Sequence, residues 1–470
     1  MTQTLVKREA PPSVPERPAP QQSSAWVAGL ASALLWGSGQ AMNRQYAKGL
    51  IFLTLMVATV ATELVTGYYG NLTSYSFRRN GGFFLRGLWG LITLGTEPRS
   101  TGLTGLTGGD HSIVLMVNGL IALLTLLVIA ALYAWNVIDA VRTRRILIRT
   151  GTAPTSREYF TTLWQSSYAY IVLSPLLALL LFVSALPIIF GILIAFTNYN
   201  RDNLPPLSLV DWVGLSNFTA IFSIKAWSGT FLGVLTWTVV WAIVATVTTY
   251  LFGFIQAVIL NSSRVRYPRF WRSIYILPWA VPAMISALVF RSMFNGQFGP
   301  INQILLDWGL IDQRIYWFTD PSNALLARVM ALLVNLWLGF PYFMALIGGA
   351  LTNIDKNYYE AAVLDGASSS QILRRITFPI IYRATAPLAV LAFVANFNNF
   401  GVIYFLTEGG PANSNYQFAG STDLLITWLF TLTVDNRLYN IGAVMSIVIF
   451  VLVGTFSLWN LKRSRAFDEL

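Results

Sequence analysis

The chain contains 470 residues, of which 55% are hydrophobic and only 11% are charged. So few charged side chains cannot give a protein of this length a water-soluble surface, so the composition excludes a soluble globular protein and indicates an integral membrane protein. The lack of cysteine in the sequence excludes disulfide bonds and thiolate metal sites.

The first 25 residues are rich in proline and contain no long apolar run. They predict a disordered cytoplasmic tail, and not a cleavable signal peptide, because no hydrophobic segment of that type follows the basic residues. The short apolar segment at residues 26–41 predicts a helix that is either interfacial or re-entrant, and an interfacial position is favoured.

Eight later segments are apolar and long enough to cross a bilayer as helices. They cover approximately residues 48–69, 113–140, 168–197, 229–260, 273–294, 323–351, 384–406 and 439–461. A ninth apolar segment, residues 83–94, is too short to span and predicts an external interfacial segment. The sequence therefore predicts an all-α integral membrane protein with about eight transmembrane helices.

Lysine and arginine are concentrated on one side of these spans. With the N-terminus inside, the basic clusters at residues 142–157, 264–272 and 374–383 lie in cytoplasmic segments, as the positive-inside rule requires. An even number of spans then places both termini in the cytoplasm. This topology, together with attraction to anionic lipid, explains the net charge of +11, which gives no sign of a nucleic-acid partner.

Polar side chains lie at helical spacing on two of the predicted spans. On the sixth span they form one stripe with the spacing i, i+3, i+4 and i+7, and on the seventh span two asparagines share a face. The residues are Asn335, Leu338, Gly339 and Tyr342 on the sixth span and Asn396 and Asn399 on the seventh. Because an amide in hydrocarbon costs a few kcal/mol unless it is hydrogen bonded, these asparagines must face protein or a wet cavity. Two interpretations are open: a path for a polar substrate such as a sugar, or hydrogen bonds that hold the helices together.

A polar loop at residues 353–380 separates these two spans. Asp355 predicts the N-cap of a first short helix, and Gly366 provides the left-handed residue that ends it. Ser368 and Gln371 have the spacing of a capping box that begins a second helix. The loop is therefore predicted to contain two short helices at an angle, which is typical of a segment that binds a partner.

The sequence of this loop resembles the cytoplasmic EAA loop of ABC importer permeases, in which a coupling helix sits in a cleft of the ATPase subunit. Glu360, Ala361 and Ala362 are followed by Gly366 at the family spacing. Phe378 stands where the family usually has leucine. The resemblance implies that the ATPase contacts Glu360, Ala361, Ala362, Asp365 and Gly366, with the two acidic side chains available to pair with its arginines.

Two further stretches are similar to the larger permease of maltose and maltodextrin importers, namely VNLWLGFPYFMALIGG and LAFVANFNNFGVIYFLTEGGP. The similarity runs from about Phe218 to Arg465. It implies the type I ABC importer permease fold, a permease core of six spans at residues 166–465, and an N-terminal membrane extension of an interfacial segment and two spans at residues 26–165. It also implies that the sugar contacts the stripe residues Asn335, Leu338, Gly339, Tyr342, Asn396 and Asn399.

The resemblance further implies the partners and the location of the protein. The partners are a second permease subunit, two copies of a cytoplasmic ATPase that holds ATP and Mg, an external solute-binding protein and the sugar, with no cofactor on this chain. The location is a prokaryotic plasma or inner membrane. Ala283 and Ala392 stand where the maltose-specific pattern has serine, and Ala395 replaces an aromatic residue. The sugar is therefore a maltodextrin or another di- or oligosaccharide such as trehalose or sucrose.

Other transport mechanisms and an enzyme are less consistent with the sequence. The ionisable residues Glu63, Asp139, Arg291 and Arg328 lie toward the ends of the predicted spans, whereas an ion-coupled carrier normally needs such a group, or broken helices, near the middle. The sequence has no phosphate-binding loop motif for ATP hydrolysis. The single histidine, His111, has no second ligand at metal spacing, so an enzyme is disfavoured.

Overall fold

The computed structural model describes residues 25–69, 80–102, 105–107, 109–262 and 264–463. The predicted disordered tail, apart from Ala25, lies outside these ranges. Within these ranges the fold is all-α, apart from a short antiparallel hairpin of strands β1 (Ser100–Gly102) and β2 (Gly105–Thr107). The chain divides into two compact units: residues 1–190 with 205–210, and residues 191–204 with 211–470.

The helices of the N-terminal unit follow the apolar segments of the sequence. One helix begins at Ser156 and passes through a π-helical segment at Leu180–Ala185. It continues to Ile194 and so ends in the C-terminal unit. In the part of the unit that the structure describes, the helices are α1 (Ala25–Leu34), α2 (Ser38–Met42), α3 (Tyr46–Thr66), α4 (Phe83–Thr93), α5 (Ser112–Thr150), α6 (Ser156–Leu179) and α7 (Leu186–Ile194).

The C-terminal unit contains the remaining helices. Two of its predicted spans are each broken into two helices, at Val281–Pro282 and at Asn398–Asn399. The helices are α8 (Ser216–Ser223), α9 (Lys225–Asn261), α10 (Pro268–Ala280), α11 (Ala283–Met293), α12 (Pro300–Asp307), α13 (Ala324–Thr352), α14 (Lys356–Leu364), α15 (Ser369–Ile372), α16 (Phe378–Phe397), α17 (Phe400–Thr407), α18 (Leu425–Phe430) and α19 (Tyr439–Arg463).

Each of the eight predicted spans corresponds to a helix or a pair of helices. Within the described residues, six helices are long and apolar enough to cross a membrane, and α10 with α11 forms a seventh, broken candidate. These two helices meet at 88°, because Val281 is extended and Pro282 has no backbone N–H to continue the helix. The predicted seventh span is also interrupted, since α16 ends at Phe397 and α17 begins at Phe400.

The short apolar segment near the N-terminus packs against α5 through buried polar groups. Gln40 is fully buried, and its Nε2 donates to the backbone carbonyl of Asn136 at 2.8 Å. Asn136 Nδ2 in turn donates to the carbonyl of Ser32 at 3.0 Å. The segment predicted to be interfacial is therefore two helices, α1 and α2, fixed to the side of a long helix.

Helix α4, the predicted external segment, lies against the first turns of α5. A Cβ atom built on Gly87 would lie 2.7 Å from the Cβ of Ala122, and one on Gly119 would lie 2.5 Å from the carbonyl oxygen of Gly87. The two backbones are therefore too close for side chains at these positions, which explains why glycine occurs there.

Candidate functional site

The predicted polar stripes on the sixth and seventh spans meet in the C-terminal unit. The Nδ2 of Asn399 donates to the Oδ1 of Asn335 at 3.0 Å, and Asn335 is only 5% exposed. The Oδ1 of Asn399 accepts from the backbone N–H of Val402 at 3.2 Å and so caps α17. The amide pair therefore links α13 to the break between α16 and α17.

Asn396 bonds to a third helix that the sequence did not single out. Its Nδ2 donates to the Oγ1 of Thr246 on α9 at 3.0 Å, and its backbone carbonyl accepts from the Nε1 of Trp241 at 3.2 Å. The sequence signal for Thr246 was weak, because threonines in a helix commonly bond to their own backbone, as Thr249 does to Ala245. Helices α9, α13 and α16 therefore all contribute to the candidate site.

The other three stripe residues have different surroundings. Leu338 is buried in an apolar cluster that includes Trp241. A Cβ built on Gly339 would lie 2.8 Å from Thr249 Cγ2, so this glycine allows α13 and α9 to approach. The ring of Tyr342 is half-buried and lies 5.8 Å from that of Trp279, the last aromatic residue before the break between α10 and α11.

The predicted stripe residues fall into two groups with different surroundings. Gly339 and Leu338 contribute to helix packing, whereas Asn396, Asn399 and Tyr342 are only partly buried. An asparagine side chain offers two N–H donors and a carbonyl acceptor, so one interhelical bond does not exhaust it. Asn396 and Asn399, with the rings of Tyr342 and Trp279, are the groups of this site that suit recognition of a sugar. Trp279 was missed because it stands on the fifth span, outside the two stripes.

The loop at residues 353–380 has the predicted local structure. The side chain of Asp355 accepts from the backbone N–H of Asn357 at 2.9 Å and caps α14. Gly366 has a φ of +75°, the left-handed conformation that ends a helix. Ser368 and Gln371 form a reciprocal capping box at the start of α15.

The exposed face of α14 differs in one respect from the prediction. Glu360, Ala361 and Asp365 are exposed, but Ala362 is only 8% exposed and points inward. Three large apolar side chains that were not predicted as contacts are instead exposed on this helix. They are Tyr358 at 60%, Val363 at 63% and Leu364 at 88%.

The second helix of the loop is not a separate short element. Helix α15 continues through a π-helical segment at Leu373–Thr377 into α16, so that one helix runs from Ser369 to Phe397 over 29 residues. At 1.5 Å per residue this helix is about 44 Å long. The prediction of two short helices was therefore wrong for the second one, because the apolar sequence after Pro379 continues the same helix. This helix connects the loop directly to Asn396.

A buried carboxyl group stabilises the segment between α17 and α18. The Oδ2 of Asp423 accepts from the backbone N–H of Gly420 and its Oδ1 accepts from the Oγ1 of Thr427, both at 2.7 Å. Burial raises the pKa of the Asp423 carboxyl to about 6, although these two hydrogen bonds oppose the shift.

This shift predicts a pH dependence of stability. The folded protein binds the proton of Asp423 more tightly than the unfolded chain does. The contribution of protonated Asp423 to the free energy of unfolding is therefore complete below the unfolded pKa of 3.8 and is lost as pH rises through about 6. Thermal unfolding of the purified protein is expected to occur at a lower temperature at neutral pH than at mildly acidic pH. Asp423→Asn is expected to reduce this difference, and an equal difference in both proteins would contradict the assignment.

The sequence and fold match a known family of transport proteins. Residues 249–464 match the model of the family described as "Binding-protein-dependent transport system inner membrane component". The galactooligosaccharides transport system permease protein GanP of Bacillus subtilis (strain 168) is 36% identical over 438 residues, which cover 93% of this chain and 97% of that protein. The chain belongs to this permease family. It is a multi-pass membrane protein and a transport component.

Two other relatives and one solved structure show how far the similarity extends. The maltodextrin transport system permease protein MdxF of Bacillus subtilis (strain 168) is 34% identical over 94% of this permease and 96% of its own length. The maltose/maltodextrin permease protein MalF of Escherichia coli (strain K12) is 36% identical over 57% of this permease and 52% of its own length. A bacterial ABC transporter involved in the import of alginate shares the fold, with a TM-score of 0.53 and 21% identity over 65% of this permease.

Proposed function

We propose that this permease is one translocation subunit of an ATP-driven sugar importer. The observation that carries the proposal is the single helix from Ser369 to Phe397, which connects the loop resembling a coupling loop to the polar groups around Asn396. A displacement of the loop moves this helix as a rigid element and so changes the surroundings of the amides. The relatives named for oligosaccharide transport support a sugar as the substrate.

The proposed assembly contains a second permease subunit, two copies of a cytoplasmic ATPase and an external solute-binding protein. ATP and Mg bind to the ATPase. The exposed residues Glu360 and Ala361 of α14, with Asp365 and Gly366 directly after its end, form the contact with the ATPase. The protein lies in a prokaryotic plasma or inner membrane with both termini in the cytoplasm, as the distribution of arginine and lysine favours.

The proposed sugar is an oligosaccharide of the maltodextrin type. Partly buried asparagines bond hydroxyl groups, and the rings of Tyr342 and Trp279 provide apolar faces for a sugar ring. A galactooligosaccharide is a second candidate, because a permease named for that substrate is 36% identical over nearly the whole chain. The small residues Ala283, Ala392 and Ala395 lack the side chains that the maltose-specific pattern has at these positions. They therefore favour neither sugar.

Copurification of the complex and measurement of its ATPase activity test this proposal. With the external binding protein present, maltodextrins are expected to stimulate ATP hydrolysis more than galactooligosaccharides, trehalose or sucrose. Stimulation by galactooligosaccharides alone would identify a galactooligosaccharide, and not a maltodextrin, as the substrate. No stimulation by any of the four sugars would contradict sugar import.

A charge substitution tests the proposed ATPase contact. If Glu360 pairs with an arginine of the ATPase, Glu360→Ala leaves that arginine unpaired in the interface. The unpaired charge weakens binding by more free energy than the pair itself contributes. Glu360→Ala is expected to lower uptake and sugar-stimulated ATP hydrolysis by about tenfold or more. The matched control is Asp312→Ala, which removes an exposed acid elsewhere in the same unit. Uptake and hydrolysis at the wild-type level in Glu360→Ala would show that Glu360 is exposed to solvent and does not pair with the ATPase.

A further inference from the structure

The N-terminal unit contains an apolar cleft that the proposed transport function does not use. The cleft has a volume of about 490 Å³ and lies between α3, α5 and α6. Its walls are mostly aliphatic and aromatic and include Phe52, Leu55, Ala58, Trp135 and Leu163. A cleft of this kind on helices that are apolar enough to cross a membrane is open to lipid chains.

One end of the cleft is polar. The Nζ of Lys48 lies 3.3 Å from the centre of the Tyr159 ring and 2.7 Å from the Oδ1 of Asp139. Lys48 also donates to the Oε1 of Gln45 at 3.0 Å. The side chains of Lys48 and Asp139 are only 3% and 9% exposed. This buried pair gives the polar end a fixed shape but no net charge.

Exposed arginines lie close in sequence to the residues at this end. Each of the three helices that form the cleft has an exposed arginine, and this arginine lies within about one helical turn, along the sequence, of a residue at the polar end of the cleft. Arg44 lies two residues before α3, Arg142 lies three residues after Asp139 on α5, and Arg157 lies two residues before Tyr159 on α6. Of the two acids near them in sequence, Asp139 pairs with Lys48, and Glu158 forms a capping box with Thr155.

We propose that this cleft binds one anionic phospholipid, with an acyl chain between α3, α5 and α6 and the phosphate among Arg44, Arg142 and Arg157. Basic pockets between membrane helices bind anionic headgroups, and each arginine near the membrane surface strengthens the attraction. A general excess of arginine at one membrane surface explains the charge but not the apolar cleft beside it. The combination of the two selects an anionic lipid over a zwitterionic one.

Native mass spectrometry of the purified full-length chain with phosphatidylglycerol or phosphatidylcholine tests this proposal. The wild type is expected to retain one phosphatidylglycerol and to prefer it to phosphatidylcholine. Removing each arginine is expected to weaken phosphatidylglycerol binding by about fivefold. The test variant combines Arg44→Gln, Arg142→Gln and Arg157→Gln. The matched control combines Arg264→Gln, Arg266→Gln and Arg269→Gln, which removes the same exposed charge from the other unit.

Filling the cleft provides a second test that does not change charge. Ala58→Trp places a large side chain in the cleft and is expected to prevent retention of the lipid, whereas Val57→Trp, on an exposed residue outside the cleft, is expected to have no effect. If Ala58→Trp does not elute as a folded protein, Leu163→Trp fills the cleft from the opposite wall. Equal binding of the two lipids by the wild type, or equal losses in the test and control variants, would show contact with bulk lipid only and overturn the proposal.

Discussion

Gly366→Val is expected to reduce ATP-driven uptake by about tenfold or more while membrane insertion persists. Gly366 has a φ of +75°, and no atom lies within 4 Å of the position that its Cβ would occupy. The substitution therefore causes no collision, and its effect comes only from the backbone. A left-handed conformation costs an ordinary residue about 1–2 kcal/mol, and a β-branched side chain is a genuine outlier there. The turn between α14 and α15 then changes, and the proposed ATPase contact is lost.

Two controls separate this backbone effect from a general effect of added volume. Gly349→Val adds the same side chain at an exposed glycine on α13 that also has no atom within 4 Å, but whose φ is not positive. Gly366→Asn keeps much of the required conformation, because asparagine tolerates the left-handed region. Both controls are expected to retain most uptake and ATPase binding in a pull-down assay. Full uptake and full ATPase binding in Gly366→Val would exclude a coupling role for the turn.

Asn335→Leu and Asn396→Ala are expected to have different effects, although both remove an amide. Asn335 is buried and bonds to Asn399, so Asn335→Leu leaves an amide N–H without its partner and destabilises the helix packing by about 1–3 kcal/mol. Asn396 is only partly buried. Asn396→Ala is therefore expected to lower uptake several-fold while assembly with the ATPase is maintained.

One preparation of each variant measures both properties, namely subunit stoichiometry after purification and sugar-dependent ATP hydrolysis in vesicles. The double variant Asn335→Leu with Asn399→Leu removes both partners and is expected to be less destabilised than the sum of the single variants. If Asn396→Ala assembles poorly and the assembled fraction transports normally, this asparagine is structural. The proposed sugar path along α16 would then be wrong.

The sequence predicted best those features that depend on neighbouring residues. The cap at Asp355, the left-handed Gly366 and the capping box at Ser368 are all determined within one helical turn, and the structure confirms them. The apolar segments likewise identified the positions of the spans. Their exact ends were less predictable, because α15 begins well before the apolar run that α16 continues.

Features that depend on contacts between distant residues were not predictable from periodicity. The stripe predicted that Asn335 and Gly339 share a face, but not that one bonds to Asn399 and the other packs on Thr249. The pairing of Lys48 with Asp139 was missed for the same reason, since 91 residues separate them. The inward orientation of Ala362 likewise depends on how the loop packs.

ATP-dependent accumulation of a labelled maltodextrin in proteoliposomes tests the central proposal most directly. The vesicles contain this permease, its partner permease and the ATPase, with the binding protein and sugar on the opposite side. We expect accumulation against a concentration gradient that requires ATP on the ATPase side and does not change when proton and sodium gradients are abolished. Accumulation without ATP, driven by an imposed ion gradient, would contradict it.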